Sequence, residues 1–226
     1  DRPALATGEG DLTFAAVDHR VDQIANGLAA AGVHHGQRVV LSMHKTHLSY
    51  LVIHAVLRLG AIVVPVDPLM PIVAAEKLLA NLEPTALIGD AATLARLPVS
   101  GLAVGAFTTD DAVDGAASIL AMIENAPTAA AGDRQREEIE ARPAVRPGDA
   151  AYVIFTSGST GEPKGITHTH RSALAYAHLA VDTHAITETD RVAGMPPLHF
   201  DMSTLELYAA PLAGAASVPI GTAELR

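Results

Sequence analysis

The sequence contains no cysteine. That removes disulfides, thiolate chemistry and cysteine metal sites, and a cytoplasmic protein is the simple expectation. It also lacks any cluster of basic residues: 15 Lys and Arg stand against 25 Asp and Glu, for a formal charge of -10. Nucleic acids and anionic membranes recruit proteins through concentrated positive charge, so neither is expected as the main partner. No apolar run reaches the roughly 20 residues that span a bilayer, and no basic segment with a short apolar core opens the chain. The first residue is Asp1 rather than Met, which points to a trimmed chain. What is present is 226 residues, 49% of them hydrophobic and 18% charged, enough to bury a sizeable core in one large or two small domains.

Helical and extended patterns alternate through the first half. A helix is expected from Phe14, with Val17, Val21, Ile24 and Leu28 on one face, Thr13 as its cap and Gly32 as its stop. A strand at 38–42, a helix at 47–59 stopped by Gly60, a strand at 61–67 and a helix at 71–82 follow. A strand at 85–89, a short helix at 91–97 and a strand at 102–107 continue the series. Repeated βα units predict an α/β fold of largely parallel sheets covered by helices. Residues 112–147 lose the pattern, and Arg134, Arg136 and Arg142 interleave with Glu137, Glu138 and Glu140. This stretch reads as a solvated connection, with room for a helical piece, between a first α/β region at 1–111 and a second region at 148–226. The histidines of the first region, among them His19, His44 and His54, have no ligand-like spacing, so no metal site is expected.

The second region opens on the most informative stretch of the chain. An apolar run from Ala151 to Phe155 breaks at Thr156 into a segment with three glycines, four hydroxyls, Pro163 and Lys164. A buried strand feeding such a segment can hold phosphate. Gly158, Gly161 and Gly165 let backbone N–H groups approach an anion; Thr156, Ser157, Ser159 and Thr160 add hydroxyl donors; Lys164 adds charge. It is neither of two common nucleotide loops. Lys164 sits between Pro163 and Gly165 instead of preceding Ser or Thr, and the glycines miss the dinucleotide spacing, with no helix expected before about Arg171.

The words TSGSTGEPKG at 156–165, with the strand before them and ITHTHR after them, resemble the signature loop of the adenylate-forming superfamily of acyl- and aminoacyl-activating enzymes. LTFAAVDHRVDQIANGLAAAGV resembles the opening helix of that superfamily and LRLGAIVVPVDP its second motif, both read as scaffold. Further on, Pro196 and Pro197 forbid regular structure and aim a new turn, where Asp201 read from pattern alone is a helix N-cap. PLHFDMSTLE, however, resembles the fourth motif of the amino-acid-activating members, the adenylation domains of nonribosomal peptide assembly and their free-standing relatives. The resemblance implies that Asp201 binds the substrate amino group and that Met202 and Leu205 face its side chain. It puts His199 or Phe200 in the place of the ring beside the substrate carboxylate. The longer wording HFDMSTLELYAAPLAGA resembles stand-alone β-amino-acid activators of polyketide pathways.

The implied activity is ATP- and Mg²⁺-dependent conversion of an amino acid to its adenylate, with Lys164 and Thr156 as the catalytic residues of the loop. Transfer to the phosphopantetheine thiol of an acyl or peptidyl carrier protein would follow, or to coenzyme A in other branches. Nothing after Ile220 matches the superfamily's adenine and ribose motifs, its hinge or its C-terminal lysine, and Lys45 and Lys77 lack the context to replace that lysine. The resemblance therefore implies the front part of a large N-terminal domain, inactive by itself. An acyl-CoA-synthetase-like ligase and a non-catalytic nucleotide- or acyl-binding module are the alternatives.

Overall fold

The computed structural model describes residues 2–7, 10–110, 113–124, 143–156 and 163–221. Helix α1, Phe14–Ala30, starts where the hydroxyl of Thr13 accepts a hydrogen bond from the Ala16 amide at 3.2 Å, and it buries Val21, Ile24, Ala25 and Leu28. Helix α2, His47–Arg58, has a reciprocal cap in which Thr46 and Ser49 each bind the other's backbone amide. Its end requires a residue with positive φ, and Gly60 supplies one at φ +68. The two helices pack on each other through the apolar faces that their spacing predicts.

A seven-stranded sheet carries most of the fold. Its members are β3 (Arg38–Ser42), β4 (Ile62–Pro65), β5 (Ala86–Gly89), β6 (Gly105–Thr108), β7 (Ala116–Ser118), β8 (Ala150–Thr156) and β9 (Lys164–Thr169), in the order β7-β6-β5-β3-β4-β8-β9. All neighbours are parallel except β8 and β9. Because side chains alternate across a strand, Val39 and Leu41 enter the core under α1 and α2, while Val40 between them faces the opposite core with Val64 and Leu87. Helix α3, Ile72–Leu82, covers that second face with Leu78 and Leu79. Burial on both faces explains why β3, β4 and β5 read as unbroken apolar runs. Each fully buried Leu, Ile or Val contributes roughly 1.5–3 kcal/mol over leaving it exposed.

A second sheet has the order β10-β11-β1-β2, formed by β1 (Pro3–Thr7), β2 (Gly10–Thr13), β10 (Arg191–Gly194) and β11 (Ala216–Pro219). Each sheet thus takes strands from both sides of 112–147, so the two expected regions are interleaved. The structure adds pieces that the sequence pattern did not announce. The β1–β2 hairpin is short and half polar, and β9 is a polar edge strand, so neither alternates cleanly. Within the expected connection β7 adds an edge strand, and Ile119–Glu124 is a helical piece for which the pattern left room, with Ile119 fully buried. Arg134, Arg136 and the acidic residues among them lie outside the described residues. No helix among the described residues is long and apolar enough to cross a membrane.

Candidate active site

Strand β8 runs through the middle of the protein and ends at the exposed Thr156. There the chain turns back: Lys164 is not a loop residue but the first residue of β9, paired across the ladder with Thr156. The Thr156 hydroxyl comes within 3.5 Å of the Lys164 carbonyl, and both residues are exposed at the mouth of the hairpin. Ser157, Gly158, Ser159, Thr160 and Gly161 lie outside the described residues. Gly165, opposite Phe155, is packed so closely that an added Cβ would stand 3.0 Å from Val153 Cγ1 and 3.2 Å from the Phe155 ring. The polar sequence of β9 suits an edge strand, whose outer side must not attract other strands. Behind it Thr169 caps the helix His170–His184, one residue before the expected start.

The second motif lies past β10. After the double proline, Asp201–Ser203 forms a 3-10 turn and Leu205–Ala209 a π turn, with Phe200 in the capping position. Asp201 is therefore the first residue of the turn and not its N-cap, and its side chain is exposed. The turn is tied internally. The Ser203 hydroxyl donates to the Phe200 carbonyl at 2.7 Å and lies 3.2 Å from the Leu198 carbonyl, and the Thr204 hydroxyl donates to the Asp201 carbonyl. Tyr152 of β8 joins the two motifs. Its ring stacks on His168 of β9 at 4.6 Å and on Tyr208 of the π turn at 5.5 Å. Burial, with Tyr176 and the charge of Asp201 adding to it, pushes the Tyr152 phenol up to about 12. It stays protonated.

A cavity of about 300 Å³ opens beside this turn. Its wall comes from the carboxyl ends of parallel strands in both sheets: Met43, His44 and Lys45 follow β3, Asp67 and Pro68 follow β4, and Leu198, His199 and Phe200 follow β10. Ligand sites of open α/β sheets lie at such ends, because loops there can vary while the strands stay fixed. Burial pulls the His199 imidazole below its ordinary value, only partly opposed by Asp67, so it is neutral near pH 7. His44 Nδ1 lies 2.8 Å from Asp90 Oδ2, and Thr93 and His44 hold the Asp90 carboxyl below its ordinary value against the cost of burial.

His199 and Phe200 thus line the cavity, with ring centroids 4.9 Å apart, and Asp201 follows directly. Met202 is 68% exposed and outside the cavity wall. Leu205 packs against Ala177 and Ala180 of the helix that follows β9 and against Ala209 of its own turn. His44, Lys45 and Asp67 are wall residues that pattern alone did not single out. Their common signal is position: His44 and Lys45 stand just beyond the strand predicted at 38–42, and Asp67 closes the one predicted at 61–67, past the observed end at Pro65.

Comparison with known proteins places the chain in a family and matches its fold. The AMP-binding enzyme family matches residues 1–225. The L-proline--[L-prolyl-carrier protein] ligase of Pseudomonas fluorescens is 34% identical over 215 residues, covering 94% of this chain and 40% of that ligase. A linear gramicidin synthase polypeptide of Brevibacillus parabrevis is 30% identical over 218 residues, 96% of this chain and 4% of that polypeptide. The fold matches a putative long-chain-fatty-acid CoA ligase from Rhodopseudomonas palustris with a TM-score of 0.82 and 24% identity, over 96% of this chain and 53% of that one. The chain therefore spans well under half the length of these curated relatives. With the match running from end to end of the described fold, the chain belongs to the AMP-binding enzyme family.

Proposed function

We propose that this chain is part of an ATP-dependent ligase that activates an amino acid as its aminoacyl-adenylate and hands it to a carrier-protein phosphopantetheine thiol in the cytoplasm. The observation that carries the reading is the meeting of two motifs on β8: the strand ends in the Thr156/Lys164 hairpin, and its Tyr152 lies within the electrostatic reach of Asp201. On this reading a hairpin that would grip phosphate and a carboxylate that would serve as the fixed anion both stand near β8. The names of the proline ligase and the gramicidin synthase support a carrier-linked amino acid as substrate.

In the proposed step an oxygen of the substrate carboxylate attacks the α-phosphorus of ATP. The new O–P bond forms as the bond to pyrophosphate breaks, and charge grows on the departing group. Lys164, with Thr156 and the hydroxyls and amides of Ser157 to Gly161, would stabilise that charge where it develops. Asp201 would hold the substrate ammonium, because a cation leaving water needs a fixed counterion. His199 and Phe200 would line the wall beside the carboxylate; Met202 and Leu205, expected to face the substrate side chain, stand outside that cavity wall and receive no contact in this reading. The thiol sulfur then takes the acyl carbon, AMP leaves, and the thiol proton is lost to solvent. Among the described residues no three His, Asp or Glu side chains gather to hold a metal ion, so the proposal gives Mg²⁺ no residue of this chain.

The same fold would serve an acyl-CoA-synthetase-like ligase, but such an enzyme has no use for a carboxylate at 201. The test is pyrophosphate exchange by the full-length natural polypeptide across α-amino acids, β-amino acids and their des-amino analogues. Exchange that requires the amino group is expected. Equal exchange with des-amino acids would overturn the role of Asp201, and no exchange with any carboxylate would overturn the ligase.

A further inference from the structure

One buried ion pair in the cavity floor has no part in the step just described. Lys45, directly after β3 in the large sheet, has 4% of its side chain exposed, and Glu206, in the π turn, 3%. The Lys45 ammonium donates to Glu206 Oε1 and, at 3.1 Å, to the carbonyl of Gly194, the last residue of β10 in the small sheet. The backbone carbonyl of Glu206 accepts the Ser217 hydroxyl of β11 at 2.7 Å. One glutamate is thereby tied to the loop after β3 of the large sheet and to β11 of the small one.

The fit around the carboxylate is close. A Cβ on Gly194 would fall 1.0 Å from Glu206 Oε2, so only glycine leaves room for the paired carboxylate. That oxygen has no hydrogen-bond partner among the described residues. Burial pulls the Lys45 ammonium down and pushes the Glu206 carboxyl up, more than their mutual attraction restores. A pair with so large a desolvation cost is a poor device for stability, since apolar side chains of similar size commonly do as well. What it can supply is direction. From Glu206 the chain passes back through Thr204 and Ser203, whose hydroxyls fix the carbonyls of Asp201 and Phe200. Little slack separates the buried pair from the exposed carboxylate of Asp201.

We propose that Lys45 and Glu206 are a positioning pair: they anchor the π turn to both sheets and so set where the exposed Asp201 stands relative to His199 of the cavity wall. The anchoring follows from geometry, and its consequence for substrate choice rests on the reading of Asp201 as the ammonium partner. Glu206→Gln keeps the shape and removes the charge. Gly194→Ala leaves both charged residues in place but drives the carboxylate off the lysine, so the two variants should share one phenotype.

The experiment uses the full-length polypeptide carrying Glu206→Gln or Gly194→Ala, each read in two ways. Without substrate, amide hydrogen exchange across 199–207 should accelerate by about tenfold or more relative to the core strands. With substrate, the preference for an amino acid over its des-amino analogue, taken as a ratio of kcat/KM, should fall by about tenfold or more. A pair that only adds stability would lower the yield of folded protein and leave that ratio unmoved. In a Lys45→Met/Glu206→Ala background the carboxylate is gone, Gly194→Ala has room, and it should add no further change. Exchange at 199–207 that keeps its parental rate in both single variants would overturn the proposal, whatever the activity. Faster exchange with an unchanged preference would uphold the anchor and remove Asp201 from ammonium binding. The Gly194 cycle keeps the question decidable if Glu206→Gln folds poorly.

Discussion

The two candidate site motifs sit on opposite kinds of ground. The hairpin mouth at Thr156 and Lys164 lies at an exposed sheet edge, joined by its strand ladder and the Thr156 hydroxyl and built of polar residues. The Asp201 turn rests on a buried layer in which Lys45, Glu206, Tyr208 and His54 are packed between the sheets. The contrast follows the two substrates proposed for them. A polyphosphate carries several charges, keeps much of its water and is best met by many adaptable donors. A single ammonium calls for one carboxylate held in place, and the internally bonded turn beneath the exposed Asp201 supplies that support.

The sharpest way to break this comparison is to remove one charge from each ground and read different constants. Asp201→Asn keeps the shape and removes the anion, so substrate affinity should fall by roughly 30-fold to several thousandfold, about 2–5 kcal/mol, with ATP affinity retained. Lys164→Ala removes a donor that matters only as charge develops, so the adenylation rate should fall by roughly tenfold to a thousandfold with little change in amino-acid affinity. Substrate titrations and single-turnover exchange on the full-length polypeptide separate the two signatures. If both variants lost affinity alone, the division between a rate site and a binding site would be wrong.

The two grounds were unequally legible in the sequence. The buried strand and the polar segment after it stand out at Thr156 because residue type changes abruptly there, and the apolar spacing of α1 and α2 announces both helices. The return of the chain as β9 was hidden, since Lys164, Gly165 and Thr167 hold their places on an edge strand by polarity, which from sequence alone resembles a loop. The Lys45–Glu206 pair was hidden for another reason. A lysine and a glutamate each read as solvated by default, and only the topology reveals that the loop after β3 meets the π turn beside Gly194. A lone glutamate in the apolar run Leu205 to Ala210 was the available sign. The N-cap pattern at Asp201 failed because the double proline and the Ser203 and Thr204 hydroxyls build a tighter turn one residue earlier.

The buried ground should also be the pH-sensitive one. His54 of α2 lies 4.4 Å from the Tyr50 ring and edge-on to Tyr208, with its Nε2 shut off from solvent and unpartnered among the described residues. Burial, and then the charge of Arg58, pull its pKa down to about 4, with the Leu207 backbone opposing. A depressed histidine stays neutral in the folded state while the unfolded chain takes up its proton. The stability it contributes is therefore complete above pH 6.5 and is lost as pH falls from there toward about 4. The loss should approach about 3 kcal/mol. Denaturant titrations at several pH values should show a shallower acid slope for His54→Phe than for the parent. An identical slope would mean that this ring does not resist protonation.

The smallest effect compares two capping boxes of the same design. Thr46 and Ser49 start α2 directly after Lys45, on the buried ground, and their bonds are partly buried. Thr169 and Ser172 start the helix behind β9, on the exposed ground, and theirs are open to water. Replacing a threonine cap by alanine leaves one amide without its partner in each case, that of Ser49 or Ser172, while the amide of residue 46 or 169 keeps its serine hydroxyl. Water can reach the Ser172 amide, so Thr169→Ala should cost near the lower limit for such caps, about 0.5 kcal/mol. The Ser49 amide is less well compensated, so Thr46→Ala should cost nearer the upper limit, about 2 kcal/mol. Midpoint shifts in urea at unchanged slope measure both. A Thr169→Ala cost equal to or above that of Thr46→Ala would show that burial does not separate the two grounds at this scale.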